Sequence, residues 1–223
     1  FSFGMGALGK DFACSIVYLF LMYYYTDVAG VPAAFVGTLF LVVRMIDAVS
    51  DPVMGMIVDN TRSRFGKFRP WIVLGTVINS LALLALFSAH LFSDLQLLLF
   101  VTVTYIVWGL TYTIMDIPFW SMVPALSARR EERERLVVWP RLFASIAWTI
   151  VGTYGLASIA FLGKGEEGRG FLLLSGLIII AFLASALITF SQVKERVATQ
   201  VTIERFSFGD VIAILRNNDQ LAS

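Results

Sequence analysis

The chain has 223 residues, a formal net charge of +1, and a composition that is 58% hydrophobic and only 15% charged. Soluble domains average about 45–50% apolar and about 25% charged residues, so a water-soluble globule is excluded. The balanced charge leaves no bulk attraction to nucleic acid, which is not an expected partner, and the lone Cys14 excludes an internal disulfide.

The aromatic load of 19 Phe, 7 Tyr and 5 Trp suits lipid-facing surfaces and interfacial belts. A spanning helix needs about 20 apolar residues, and periodicity gives six such segments: 3–26, 35–58, 71–92, 96–123, 139–162 and 171–192. The expected fold is an all-α membrane protein of six transmembrane helices, with residues 1–192 as the bundle. Residues 193–223 follow as a polar stretch that ends in a short amphipathic piece, 210–216. The chain opens on Phe1 rather than methionine, so a few preceding residues are expected. No cleavable signal peptide is expected, because the first apolar run is long and carries Lys10-Asp11.

Segment one contains Gly4, Gly6 and Gly9 in the G-x-G-x-x-G pattern of a dinucleotide fingerprint. That mechanism needs a preceding strand, so here the glycines read as small residues for close helix packing. Lys10 and Asp11 lie about 100° apart on a helix and need not pair with each other. They read either as ion-pair partners of another helix or as a polar wall of a central cavity. Cys14 reads as a structural thiol in an apolar run.

Segment two carries Arg44, Asp47 and Asp51, which share one helix face. Each charge costs about 2.5–3.5 kcal/mol in hydrocarbon, and two carboxylates one turn apart repel unless a cation or proton intervenes. This stripe is a candidate cation site. The next connection, 59–70, holds Arg62, Arg64, Lys67 and Arg69 beside Asp59. Sorting of positive charge to the cytoplasm accounts for these residues, and Asp59 with the arginines is also placed to brace helix ends there.

His90 falls at a helix end and reads as interfacial. Segment four is longer than a bilayer requires, so tilt, kinking or extension is expected. Late in it come Tyr112, Thr113, Asp116, Pro118 and Trp120. Pro118 frees the carbonyl of Ile114, and the shared face combines a carboxylate, hydroxyls and an indole. Sugars want that mixture: acceptors for hydroxyls and a flat apolar surface under the ring. Trp120 reads equally as an interfacial anchor.

The fourth connection holds Arg129, Arg130, Arg133 and Arg135 among glutamates, and reads as a solvated turn of helix. Arg141 opens segment five, either snorkelling to the surface or turned inward. The tail adds Lys194, Arg196 and Arg205, whereas the first and third connections hold no Lys or Arg. Even-numbered connections and both ends of the segment are therefore expected in the cytoplasm. Asp11, Asp47, Asp51 and Asp116 set four negatives against three positives, Lys10, Arg44 and Arg141; one bound monovalent cation or proton balances them.

Five stretches resemble the glycoside–pentoside–hexuronide:cation symporters of the major facilitator superfamily, and within it the melibiose carriers. They are Gly9 to Phe12, Tyr23 to Asp27, Asp47 to Gly55, Thr61 to Trp71 and Thr111 to Trp120. The resemblance runs from Gly4 to about Val193 and implies the N-terminal six-helix bundle of a major-facilitator fold. It implies cation-coupled symport of a galactoside such as melibiose by alternating access, in a bacterial inner membrane, with no enzyme activity and no cofactor beyond the coupling cation. Partners are then the sugar, Na+ (or Li+ or H+), the bilayer and a C-terminal six-helix half. Asp47, Asp51 and Thr113 are implied as cation ligands, and Lys10, Asp11, Tyr112, Asp116, Trp120 and Arg141 as sugar ligands. Ser50 stands where sodium-using melibiose carriers have asparagine, so its shorter oxygen bears on the choice of cation. The rival reading is an intramembrane Mg2+-dependent prenyl- or phospho-alcohol transferase that uses the Asp47, Asp51 and Asp116 acids.

Overall fold

A computed structural model describes residues 2–127 and 129–193, of Arg130 the backbone alone. The tail with Lys194, Arg196, Arg205 and residues 210–216 lies outside the described residues. Among those described there is no strand. The helices are α1 (Ser2–Tyr23), α2 (Ala33–Asn60), α3 (Arg69–Leu86), α4 (Asp94–Ser121), α5 (Val123–Leu126), α6 (Arg130–Gly163) and α7 (Glu167–Gln192). A π-helical turn, Tyr24–Val28, extends α1. Six of these elements are long and apolar enough to cross a membrane, with α5 continuing α4 into one 33-residue span, Asp94–Leu126. The protein is thus a multi-pass membrane protein, with the six helices expected of a major-facilitator N-terminal bundle.

α1 packs on α6 and α7, α3 packs on α4 and α7, and α2 rests mainly on α4. The α1 glycines explain how closely α7 approaches. A Cβ at Gly6 would fall 2.1 Å from Thr189 Oγ1, and one at Gly9 2.3 Å from Ser185 Oγ and 2.7 Å from the Ala181 carbonyl. Without side chains there, α7 reaches the α1 backbone, which lets packing replace the hydrophobic drive that lipid does not supply. The G-x-G-x-x-G run is a packing surface.

The expected extension of segment four is real: α4 runs through Pro118 to Ser121, breaks at Met122 and resumes as α5. Segment five begins nine residues before its apolar stretch, because the mixed-sign run is helical from Arg130 onward. Glu131 and Glu132 sit in the first turn, where the helix dipole favours acids. Ser127 Oγ donates to Glu132 Oε2 at 2.5 Å, and Arg129 pairs with Glu132 at 3.4 Å.

The basic connections gather at one end of the bundle. There Lys67 pairs with Asp59 at 2.7 Å, and the Arg69 guanidinium lies 4.6 Å from the Phe190 ring on α7. Phe65 packs on the same Phe190 ring at 5.9 Å, while Ser2 Oγ donates to Gln192 Oε1 at 2.7 Å. An open cleft of about 430 Å³ between Phe3, Ser127, Glu132, Trp139 and Val193 joins the α6 start to this end. At the opposite end Tyr23 donates to Glu167 at 2.7 Å, and the Tyr24 hydroxyl lies 2.9 Å from His90 Nδ1. His90 therefore braces a helix terminus, next to a buried stack of Tyr24, Phe87 and Phe171.

Candidate functional site

Polar groups inside the bundle converge where α1, α2, α4 and α6 meet. Lys10 is buried, at 4% exposure, and its Nζ lies 2.6 Å from Asp116 Oδ1 on α4. The ammonium is only 3.9 Å from Asp11 Oδ2, a looser contact with its own chain neighbour. The two adjacent residues leave α1 in different directions, so each finds its main partner on a different helix. Asp11 turns to α6, where the Trp148 indole N–H approaches Asp11 Oδ1 at 3.4 Å.

Aromatic rings surround the ammonium. Lys10 Nζ lies 5.8 Å from the Tyr112 centroid, 5.5 Å from Phe119 and 5.3 Å from Trp120. All are within the range of a cation–π attraction, which adds to the ion pair. Trp120 keeps 36% exposure, so the indole is both a wall of this cluster and an accessible face. The Cys14 thiol is buried, consistent with a structural role.

The second acidic cluster lies between α2 and α4. Thr113 Oγ1 donates to Asp51 Oδ1 at 2.9 Å, tying the two helices. Arg44 pairs with Asp47 at 3.6 Å and also donates to the Tyr18 hydroxyl on α1. Asp47 Oδ1 is buried with no hydrogen-bond partner, against Gly109 of α4, where a Cβ would stand 3.4 Å from that oxygen. A buried carboxylate oxygen without a donor is costly unless something positive satisfies it. The sequence stripe is therefore resolved into two halves: Arg44 serves one oxygen of Asp47, and the other faces α4 unsatisfied.

α4 is the element shared by both clusters. Gly109 and Thr113 address α2, while Tyr112, Asp116 and Trp120 address α1, so two of its faces carry the two sets one turn apart. Ser50 does not reach the acids: its hydroxyl donates at 3.3 Å to the Asp47 carbonyl of its own helix. Arg141 is exposed and makes no ion pair among the described residues, though its Ser145 neighbour one turn on donates to its carbonyl at 3.0 Å. The three acids of the transferase reading do not assemble, since Asp116 belongs to Lys10. Among the described residues no three His, Cys, Asp or Glu side chains group as a metal site would.

Sequence reasoning missed Tyr18, Gly109 and Trp148. Tyr18 lies seven residues after Asp11, and Trp148 seven after Arg141; seven residues are close to two turns, so each pair shares a helix face. That period was a usable signal. The approach of Gly109 to Asp47 had none, because it depends on how close two helices come.

Comparison with known proteins gives this arrangement its context. Residues 2–222 match the family model described as MFS/sugar transport protein. The chain is similar to the uncharacterized symporter YnaJ of Bacillus subtilis, 34% identical over 97% of this chain and 48% of that protein. It is similar to the putative glycoside/cation symporter YagG of Escherichia coli, 33% identical over 89% of this chain and 43% of the relative. The isoprimeverose transporter of Lactiplantibacillus pentosus is 33% identical over 85% of this chain and 41% of its own length. The chain thus spans about half the length of the curated relatives it matches. With six spanning helices and a match over nearly all its residues, the chain belongs to the MFS sugar-transport family, a family of transporters rather than enzymes.

Proposed function

We propose that the full-length protein is a cation-coupled glycoside symporter working by alternating access, and that residues 1–192 form its N-terminal bundle. Residues 193–223 would lead, as the middle cytoplasmic loop, to a C-terminal six-helix half. The carrying observation is the division of labour on α4. Thr113 holds Asp51 at 2.9 Å on one face, and Asp116 holds Lys10 at 2.6 Å on the other. A monovalent cation between Asp47 and Asp51, with Thr113 as a further ligand, satisfies the orphan Asp47 oxygen and removes the repulsion of the two carboxylates. Lys10, Asp11, Tyr112, Asp116, Trp120 and Arg141 are then the sugar side, with a galactoside such as melibiose as the first candidate.

Sodium, lithium and proton remain the candidate cations, and Ser50 is the position to vary. Its hydroxyl rests on the Asp47 carbonyl of its own helix, so recruiting it as a ligand requires a rotamer change. The cation orders Asp51 and Thr113, Thr113 and Asp116 ride on one rigid helix, and the sugar meets Asp116. Cation binding raises sugar affinity by this route, and linkage requires sugar to raise cation affinity by the same factor. Rocking of this bundle against its partner supplies the access change. The gathering of Arg62, Arg64, Lys67, Arg69 and Arg129 at one end supports that end as cytoplasmic, in a bacterial inner membrane, with Asp59–Lys67 bracing it. The test is galactoside binding to the full-length carrier across sodium concentrations. Sodium raises affinity in the wild type and not in Asp51→Cys; equal stimulation in both refutes the coupling site.

A further inference from the structure

Trp148 of α6 is half-buried, and its indole connects two α1 residues that lie two turns apart on one face. Its N–H approaches Asp11 Oδ1 at 3.4 Å, and its ring packs on Tyr18 with centroids 6.0 Å apart. Asp11 needs this donor. Lys10 serves Asp116 at 2.6 Å and reaches Asp11 only at 3.9 Å, so of two carboxylates sharing one ammonium Asp11 is the less satisfied. Its side chain keeps only 12% exposure, which denies it full hydration. Tyr18 in turn is fixed from three sides, by Arg44, by Trp148 and by Trp108, whose ring meets it edge-on at 6.2 Å.

The Lys10–Asp11 pair therefore stands between two indoles on different helices, Trp120 of α4 on the lysine side and Trp148 of α6 on the aspartate side. A flat apolar face beside hydroxyl acceptors suits a sugar ring, and two such faces flanking one polar pair suit a two-ring glycoside better than a monosaccharide. Arg141 projects from the same stripe of α6 two turns away, so that face of α6 carries a cation and an indole in register.

We infer that Trp148 is a positioning and specificity residue of the glycoside site: its N–H orients Asp11 and its ring forms the α6 wall facing the second sugar ring. This rests on the symporter reading above. Trp148→Phe keeps a ring against Tyr18 and removes the donor; Trp148→Leu removes both. The probes are melibiose and galactose, bound to the full-length carrier in saturating sodium, with the sodium concentration that half-maximally stabilises each protein against heat as a second readout.

Trp148→Phe is expected to lower affinity for both sugars by about the same factor, near ten-fold (~1.4 kcal/mol), as loss of one hydrogen bond to a carboxylate requires. Trp148→Leu is expected to cost melibiose about five-fold more than galactose, erasing part of the disaccharide preference. The sodium midpoint stays within about two-fold in both, because Asp47, Asp51 and Thr113 do not touch this ring. Sugar affinities like wild type in both variants overturn the inference alone, as does an equal loss for sodium and both sugars, which marks a purely structural role. If Trp148→Leu does not fold, the Trp148→Phe result decides. A wild-type carrier that binds no glycoside with any cation overturns the symporter reading, and this inference with it.

Discussion

Thr113→Val isolates the joint between the two helices that carry the candidate cation site. Valine matches threonine in shape and removes one hydroxyl, so packing at this 6%-exposed position is kept while the 2.9 Å bond to Asp51 is lost. A hydroxyl has one proton and two lone pairs. It can donate to Asp51 with or without an ion, and its lone pair can also face the ion when one is bound. The donated bond is therefore common to both states and bears on stability, about 1.5–3 kcal/mol for a hydrogen bond to a charged group. On the proposed cation site, contact between this oxygen and the ion occurs only in the bound state and bears on affinity; a loss of similar size weakens sodium binding about 10- to 100-fold. The assay is a sodium titration of galactoside binding to the full-length carrier, with thermal unfolding in parallel. Thr113→Ser, which restores the oxygen, should recover most of the affinity, and sugar affinity at saturating sodium should stay near wild type because Lys10–Asp116 is untouched. A Thr113→Val protein whose sodium midpoint lies within two-fold of wild type refutes Thr113 as a ligand.

Lys10→Met strips the ammonium from Asp116 and Asp11 together. Removing one member of a buried pair costs about 3–5 kcal/mol, and the 24% exposure of the Asp116 side chain places this case at the lower end. Thermal unfolding should show that loss, with Lys10→Met/Asp116→Asn recovering part of it; an unchanged midpoint in the single variant refutes the pair. Gly6→Ala puts a methyl 2.1 Å from Thr189 Oγ1 and should cost about 1–3 kcal/mol by overpacking. Adding Thr189→Ala removes the clashing oxygen and leaves the residue-189 Cβ at 3.4 Å and Phe119 Cε2 at 3.2 Å, so a double-mutant cycle should show partial recovery.

Much of the fold was legible because lipid is an unforgiving solvent. Every backbone group in a span must be satisfied within its own helix, so runs of about 20 apolar residues announce their structure without reference to neighbours. The six segments expected at 3–26 through 171–192 all appear, with errors at the ends, where water and caps take over. The shift of α6 back to Arg130 illustrates the point: its first turns are held by Ser127, Arg129 and Glu132 rather than by hydropathy. The charged stripe of Arg44, Asp47 and Asp51 was equally visible, because three and four residues always share a helix face.

Partner choice was not legible, because it depends on how the helices rotate and how closely they approach. Sequence alone left open whether Lys10 and Asp11 are ion-pair partners of another helix or a polar wall of a cavity, and the tertiary structure paired Lys10 with Asp116 of α4. It also turned Asp11 toward an indole 137 positions away, and pressed Gly109 against Asp47. The sequence by itself determined that this chain crosses a membrane several times with acidic residues on its spans. Only the tertiary arrangement of α1, α2, α4 and α6, which depends on helix rotation and approach, decided which of those acids have partners and that one Asp47 oxygen has none.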